Sequence, residues 1–129
     1  MDADMAQQKD RRTETSEQGP LTAGPTGPQL DAAASTFALL ANAARLHVLW
    51  LAAQDHLDVT ALAERTGLGV PTMSQHLSKL RLAGLISARR EGRRHIYTVD
   101  DPHVLTLVQQ IFAHIAPDGG LAPDPPRID

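Results

Sequence analysis

Val70-Pro71-Thr72-Met73-Ser74-Gln75-His76-Leu77-Ser78-Lys79-Leu80-Arg81 is the stretch whose reading decides the fold. At about 100° per residue, Met73, Leu77 and Leu80 recur at i, i+4 and i+7 and make an apolar stripe. Thr72, Gln75, His76 and Lys79 recur at i, i+3, i+4 and i+7 on a different face, and Ser74 adds a hydroxyl. Hydroxyls, amides and imidazoles hydrogen-bond to base edges in a major groove, and Lys79 is placed for a phosphate. The stretch reads as a recognition helix. An amphipathic surface helix would carry the same two faces, so these residues alone leave both readings open.

Its neighbours narrow the choice. On the N-terminal side, Leu57 to Gly67 contains a short helix with Asp58 as N-cap, Val59, Leu62 and Ala63 inward, and Gly67 as a left-handed stop. Leu68-Gly69-Val70 then makes a tight turn, and Pro71 opens the next helix at its first position, where no amide partner is needed. A short helix, a Gly-containing turn and a second helix with a polar face is the helix-turn-helix layout. On the C-terminal side Gly84 closes the helix. Leu85 to Arg90 and Arg94 to Val99 are rich in β-formers, and with Glu91-Gly92-Arg93 between them they predict a hairpin. Arg89, Arg90, Arg93 and Arg94 near its tip are candidates for phosphates or an adjacent minor groove, solvated surface charge being the alternative.

Further out, residues 31–53 show two helical patterns meeting near Asn42 and Ala43. Trp50, on an apolar helix face, is expected at the centre of the core, with ligand stacking the alternative. Asp101 and Pro102 start a last helix as N-cap and first residue. Val104, Leu105, Leu107, Val108, Ile111, Phe112 and Ile115 surround most of its circumference. That is more apolar surface than a small chain can cover alone, so a homodimer is expected. The expected organisation is a disordered tail over residues 1–29, one domain over 30–116 and a flexible tail over 117–129. The expected fold class is mainly α with a β-hairpin wing (α+β), a dimeric winged helix-turn-helix.

Composition sets the bounds. The chain of 129 residues supports one domain, and its aromatic content of 3% means a core built from Ala, Leu, Val and Ile. Without cysteine, disulfides, thiolate metal sites and thiol redox switches are excluded. There is no apolar run of membrane-spanning length and no signal peptide, so no membrane association and a cytoplasmic location are expected. The net charge of −3 conceals a basic patch. Between Thr72 and Tyr97 six basic side chains face only Glu91, a local +5, while the acids collect toward the two ends. A basic patch in a mildly acidic chain is the electrostatic footprint of a site on DNA.

The residues from about Phe37 to Ile115 resemble the ArsR/SmtB family of winged helix-turn-helix repressors. The resemblance is carried by residues 39–49 (LLANAARLHVL), 62–68 (LAERTGL), 71–86 (PTMSQHLSKLRLAGLI) and 89–97 (RREGRRHIY). Its most specific block is Ser-x-His-Leu-x-x-Leu followed by Ala-Gly-Leu. The resemblance implies a dimer on a palindromic double-stranded operator, with recognition helices in successive major grooves, hairpins as wings, and an inducer, often a metal ion, that lowers DNA affinity. One family site uses Cys-x-Cys at the start of the first helix-turn-helix helix; Asp58 and Thr60 occupy those positions here. Another takes Asp-x-His from one subunit and His-x-x-His or His-x-x-Glu from the other. Asp101, His103 and His114 fall on its first three positions, and Pro117 on the fourth.

Geometry tests that second site independently. Residues eleven apart on a helix lie about 16 Å apart along its axis, too far for His103 and His114 of one chain to share an ion with donors at about 2.1 Å. Two such helices packed antiparallel across a dimer axis would instead give two symmetric sites of N and O donors, suited to zinc, nickel or cobalt. Water or Asp118 could fill the fourth position, or it could stay vacant. Alternatively Asp101 is only a helix cap and the histidines ordinary polar residues. The expected function is a sequence-specific repressor released by such an ion. A repressor with a non-metal inducer or none, and a winged helix for protein contacts, are the alternatives. Enzymatic chemistry is not expected, because no nucleophile, general base or phosphate cradle is spelled out.

Overall fold

The computed structural model describes residues 23–123. Five helices and one hairpin run through them: α1 (Gly27–Leu40), α2 (Ala43–Gln54), α3 (Val59–Thr66), α4 (Val70–Leu82), β1 (Ser87–Glu91), β2 (Arg94–Thr98) and α5 (Pro102–His114). The chain divides into one unit ending at Phe37 and another beginning at Ala38. Most of the expected N-terminal tail and the last residues of the C-terminal one lie outside the described residues.

In the first unit, α1 starts inside the stretch expected to be unstructured. Thr26 Oγ1 accepts from Gln29 N at 3.1 Å, and Gln29 Oε1 accepts from Thr26 N at 2.8 Å. That reciprocal pair is a capping box, Thr-x-x-Gln, which satisfies two amides at the helix start.

The second unit holds the core. Val48 and Leu49 of α2, Leu62 of α3, Met73, Leu77 and Leu80 of α4 and Ile96 of β2 are its most deeply buried side chains. Each such aliphatic side chain contributes roughly 1.5–3 kcal/mol by leaving water. Asn42 caps α2, its side chain accepting from Arg45 N at 3.0 Å, and Asp58 caps α3, accepting from Ala61 N at 2.9 Å. Gly67 ends α3 at φ 76°, a left-handed backbone that L side chains rarely adopt. The helix α4 starts one residue earlier than its proline suggested, with Val70 first and Pro71 second. Both positions lie among the initial amides that have no helical partner, so proline fits either.

The expectation for Trp50 does not hold. Its side chain is 37% exposed, because the buried face of α2 is Val48, Leu49, Leu51 and Ala52. The inward stripe of α2 is therefore turned away from Trp50, although Leu49 beside it is buried. Trp50 instead borders a shallow depression with His47, Phe112, Ile115 and Pro117.

The strands pair antiparallel from Ser87↔Thr98 to Glu91↔Arg94, joined by Gly92 and Arg93. Gly92 has φ 64°, the positive value that the first centre of a two-residue hairpin turn requires. Leu85 and Ile86, expected within the first strand, lie before it and are buried. The outer edge of β2 is tied to the start of α3, Tyr97 N donating to Leu57 O at 2.9 Å. Beyond α5 the chain does not leave directly. Ala116 N donates to Gly120 O at 2.7 Å, Gly119 N to Ala116 O at 2.8 Å and Ala122 N to His114 O at 2.9 Å, with a bridge between Ile115 and Leu121. The described part of the expected C-terminal tail is thus a hydrogen-bonded turn.

Candidate nucleic-acid interface and metal-ligand pair

The helix α4 carries the candidate interface, and its two faces are sharply divided. Met73, Leu77 and Leu80 are buried, which fixes the rotation of the helix and turns Thr72, Ser74, Gln75 and Lys79 outward. Ser74, Gln75, Ser78 and Lys79 line a shallow groove along it. Ser78 was not among the residues singled out from sequence, although it lies four positions beyond Ser74 on the same face.

His76 differs from its neighbours. It is half-buried, and Arg45 Nε on α2 donates to its Nδ1 at 3.3 Å. Burial first, and then the positive charges of Arg45 and Lys79, push its pKa below the usual 6.5. Arg45 is itself held by Leu39 O, which accepts from Nη1 at 3.0 Å.

The arginines of the wing do not share one role. Arg89 pairs with Glu91 at 2.8 Å, and both side chains are about half exposed. Arg90 Nε donates to Gly92 O at 3.1 Å within the turn. Arg94 Nε sits 3.0 Å from Asp58 Oδ2 at the start of α3. Among the described residues Arg93 takes part in no salt bridge. The fold thereby brings Asp58 into the basic patch, a second carboxylate that the local charge count did not include. Arg81, at the end of α4, borders the same notch as Arg93, Arg94 and Asp58.

The three expected metal ligands all lie at the ends of α5. Asp101 is its N-cap, Oδ1 accepting from His103 N at 2.8 Å and lying 3.0 Å from His103 Nδ1. The backbone hydrogen bond from His103, followed by the one from its side chain, lowers the Asp101 pKa below the usual carboxylate value of 3.8. His114 is the last residue of the helix. Asp118, a candidate fourth donor, has Oδ1 engaged by Gly120 N at 2.9 Å. Among the described residues no three His, Asp or Glu side chains gather as a metal site.

Residues 42–88 match the profile of the bacterial regulatory protein, arsR family. The HTH-type transcriptional regulator NmtR of Mycobacterium tuberculosis is 37% identical over 81 residues, which are 63% of this chain and 68% of NmtR. The chain belongs to the ArsR family. Another relative, the HTH-type transcriptional regulator KmtR of Mycobacterium tuberculosis, is 44% identical over 72 residues, 56% of this chain and 55% of KmtR. The chain therefore spans little more than half the length of KmtR. A homodimeric winged helix-turn-helix DNA-binding domain from Mycobacterium bovis matches with a TM-score of 0.63 at 36% identity, covering 70% of this chain and 86% of that domain. The fold of this ArsR-family chain is accordingly a winged helix-turn-helix: α3 and α4 are the helix pair and the β1–β2 hairpin is the wing. The expected family holds, and so does the expected winged helix-turn-helix with its hairpin wing. Among the described residues no single helix is long and apolar enough to cross a membrane.

Within this ArsR-family fold, sequence reasoning missed Arg45 and the second function of Asp58. Neither had a local signal: Arg45 meets His76 across 31 positions, and Asp58 meets Arg94 with the whole of α4 between them in sequence.

Proposed function

We propose that this chain is a sequence-specific, DNA-binding transcriptional repressor that works as a homodimer on double-stranded operator DNA. The observation that carries the reading is the division of α4. A face fixed by three buried apolar residues leaves Thr72, Ser74, Gln75 and Lys79 outward, beside a wing bearing Arg90 and Arg93. Side chains of this kind on a helix fit base edges and phosphates of a major groove, and arginines on a wing fit backbone or minor groove. Dimerisation is supported by α5. Ile111 and Phe112 on the helix and Ile115 just past its end leave 37%, 41% and 38% of their surfaces exposed. Adjacent apolar side chains left open in this way are the mark of a subunit contact.

The inducer we assign is a divalent zinc, nickel or cobalt ion. Asp101 and His103 fit such a group: the imidazole lies against the carboxylate, and with Nδ1 on Asp101 Oδ1 its Nε2 remains available as a donor. His114 lies on the same helix but at its far end, so a second copy of α5 would have to supply it. An ion held there would supply a positive charge joining two subunits. To release DNA it must bind the low-affinity dimer more tightly than the operator-bound one, since equal affinity shifts nothing.

The test is operator binding against salt, with and without metal, for wild type, His103→Ala and His114→Ala. Salt-sensitive binding to the chain's own upstream DNA, relieved by one metal per subunit in wild type only, is the expected result. Absence of salt-sensitive binding would remove the DNA reading. Equal release from all three proteins would remove the metal.

A further inference from the structure

His76 lies in the middle of the base-reading face, yet its ring is gripped from the protein side. Arg45 Nε is 3.3 Å from Nδ1, and Arg45 cannot swing away freely. Its own amide is held by Asn42 Oδ1 at 3.0 Å, and its Nη1 by Leu39 O at 3.0 Å. The carbonyl of Leu39 belongs to the last turn of α1, where carbonyls have no helical partner, so Arg45 satisfies a group that needs a donor. The corner between α1 and α2 thus presents Arg45 to the recognition helix in one orientation.

The chemistry of that contact has one solution. A guanidinium carries donors only and does not lose its proton in proteins. Nδ1 of His76 must therefore accept, which puts the proton of the neutral ring on Nε2. Protonating Nδ1 as well would set an N–H against the Arg45 N–H. The low pKa of His76, caused by burial, Arg45 and Lys79, agrees with a ring that stays neutral. Nε2 has no hydrogen-bond partner among the described residues, and no buried side-chain nitrogen or oxygen there lacks one, so Nε2 must be open to solvent.

We propose that Arg45 is a positioning residue for base readout: it fixes His76 as the Nε2–H tautomer, so this side chain donates to DNA and cannot accept. His76 then selects a base-edge acceptor, which is a purine N7, a guanine O6 or a thymine O4, and rejects the exocyclic amines of cytosine and adenine. Gln75 beside it carries both a donor and an acceptor and has no such restriction. The inference rests on the DNA-binding reading above and adds a specificity rule set from outside the helix-turn-helix.

The test has an arm without DNA and an arm with it. Nitrogen-detected correlations of the His76 imidazole in the free, full-length protein should show the Nε2–H form at neutral pH. In Arg45→Gln, whose side chain can either donate or accept, a mixture of tautomers should replace it; Arg45→Met serves as a second variant should the first fold poorly. With DNA, base analogues that each delete one major-groove acceptor, such as 7-deazapurines for N7, are scanned across the half-site. At one position the wild type should lose about three- to tenfold in affinity, the worth of one hydrogen bond. That loss should vanish in His76→Ala and shrink in Arg45→Gln. An Nδ1–H tautomer in wild type, an unchanged tautomer in both Arg45 variants, or no analogue penalty that depends on His76 would each overturn the proposal. Absence of any operator binding by wild type would overturn the DNA reading and the readout together, with the tautomer result standing apart.

Discussion

Replacing Asp58 by Asn separates two functions that the structure loads onto one carboxylate. Oδ1 caps α3 by accepting from Ala61 N at 2.9 Å, while Oδ2 holds Arg94 at 3.0 Å. Asparagine caps a helix about as well as aspartate, so the fold should tolerate Asp58→Asn. The ion pair is different. Arg94 is 61% exposed at its side chain, and an exposed pair of this kind is worth only about 0–1 kcal/mol, so stability should fall little when it is broken. What changes is the charge available to DNA. If the freed Arg94 neutralises one further phosphate, the slope of log K against log salt steepens by about 0.9. Over a fourfold rise in salt, from about 50 to 200 mM, the ratio of variant to wild-type affinity should then shrink by roughly 3.5-fold, with the variant tighter at the low end. Fluorescence anisotropy on labelled operator across that range, with thermal melts alongside, measures both quantities. Asp58→Ala is the control: it should show the same slope but lose about 1 kcal/mol of stability with the cap. Parallel salt lines for wild type and Asp58→Asn would refute the view that Asp58 holds a DNA-directed arginine in reserve.

Three further outcomes follow from the same geometry. Leu77→Ala, at a site 1% exposed on the inner face of α4, should cost about 2–5 kcal/mol in urea unfolding, a large part of the roughly 5–15 kcal/mol that holds a domain together; a loss below about 1 kcal/mol would mean that α4 is not anchored there. Lys79→Ala should weaken binding to all sequences alike and flatten the salt slope by about 1, whereas Gln75→Ala should relax preference at one base position by about 1–3 kcal/mol; competition with single-base operator variants distinguishes them. Asp101 contributes stability through a pKa held below 3.8, so that contribution is present above this value and is lost as pH falls through the lower folded one. Acid melts should therefore show wild type losing stability over a range where Asp101→Asn, which keeps a capping side chain but cannot titrate, changes less.

The parts of the fold legible in the sequence are those written within one or two helical turns. Met73, Leu77 and Leu80 fix the buried face of α4 by spacing alone, and Asn42, Asp58, Gly67 and Asp101 mark helix ends where the structure has them. The capping box of Thr26 and Gln29 was equally local, but it sits in a stretch rich in glycine and proline whose composition pointed the other way. Trp50 was misplaced because apolar residues cover so much of α2 that several stripes fit, and only packing against α3, α4 and α5 decides among them. The Arg45–His76 and Asp58–Arg94 pairs were out of reach for a different reason. Each joins residues more than thirty positions apart, and no periodicity encodes which two polar side chains will meet. The candidate site was therefore readable as a list of side chains, and its internal wiring was not.

The tie between Tyr97 and Leu57 also governs how the molecule behaves in a crowd. A two-stranded ribbon has two free edges, and either can template a strand from another molecule. Here Leu57 covers part of the outer edge of β2, leaving β1 the more open one. That strand is Ser87-Ala88-Arg89-Arg90-Glu91, short and mostly charged, which is how natural sheets discourage edge-to-edge growth. The arginines that suit a nucleic acid thus also keep the wing from polymerising when none is present.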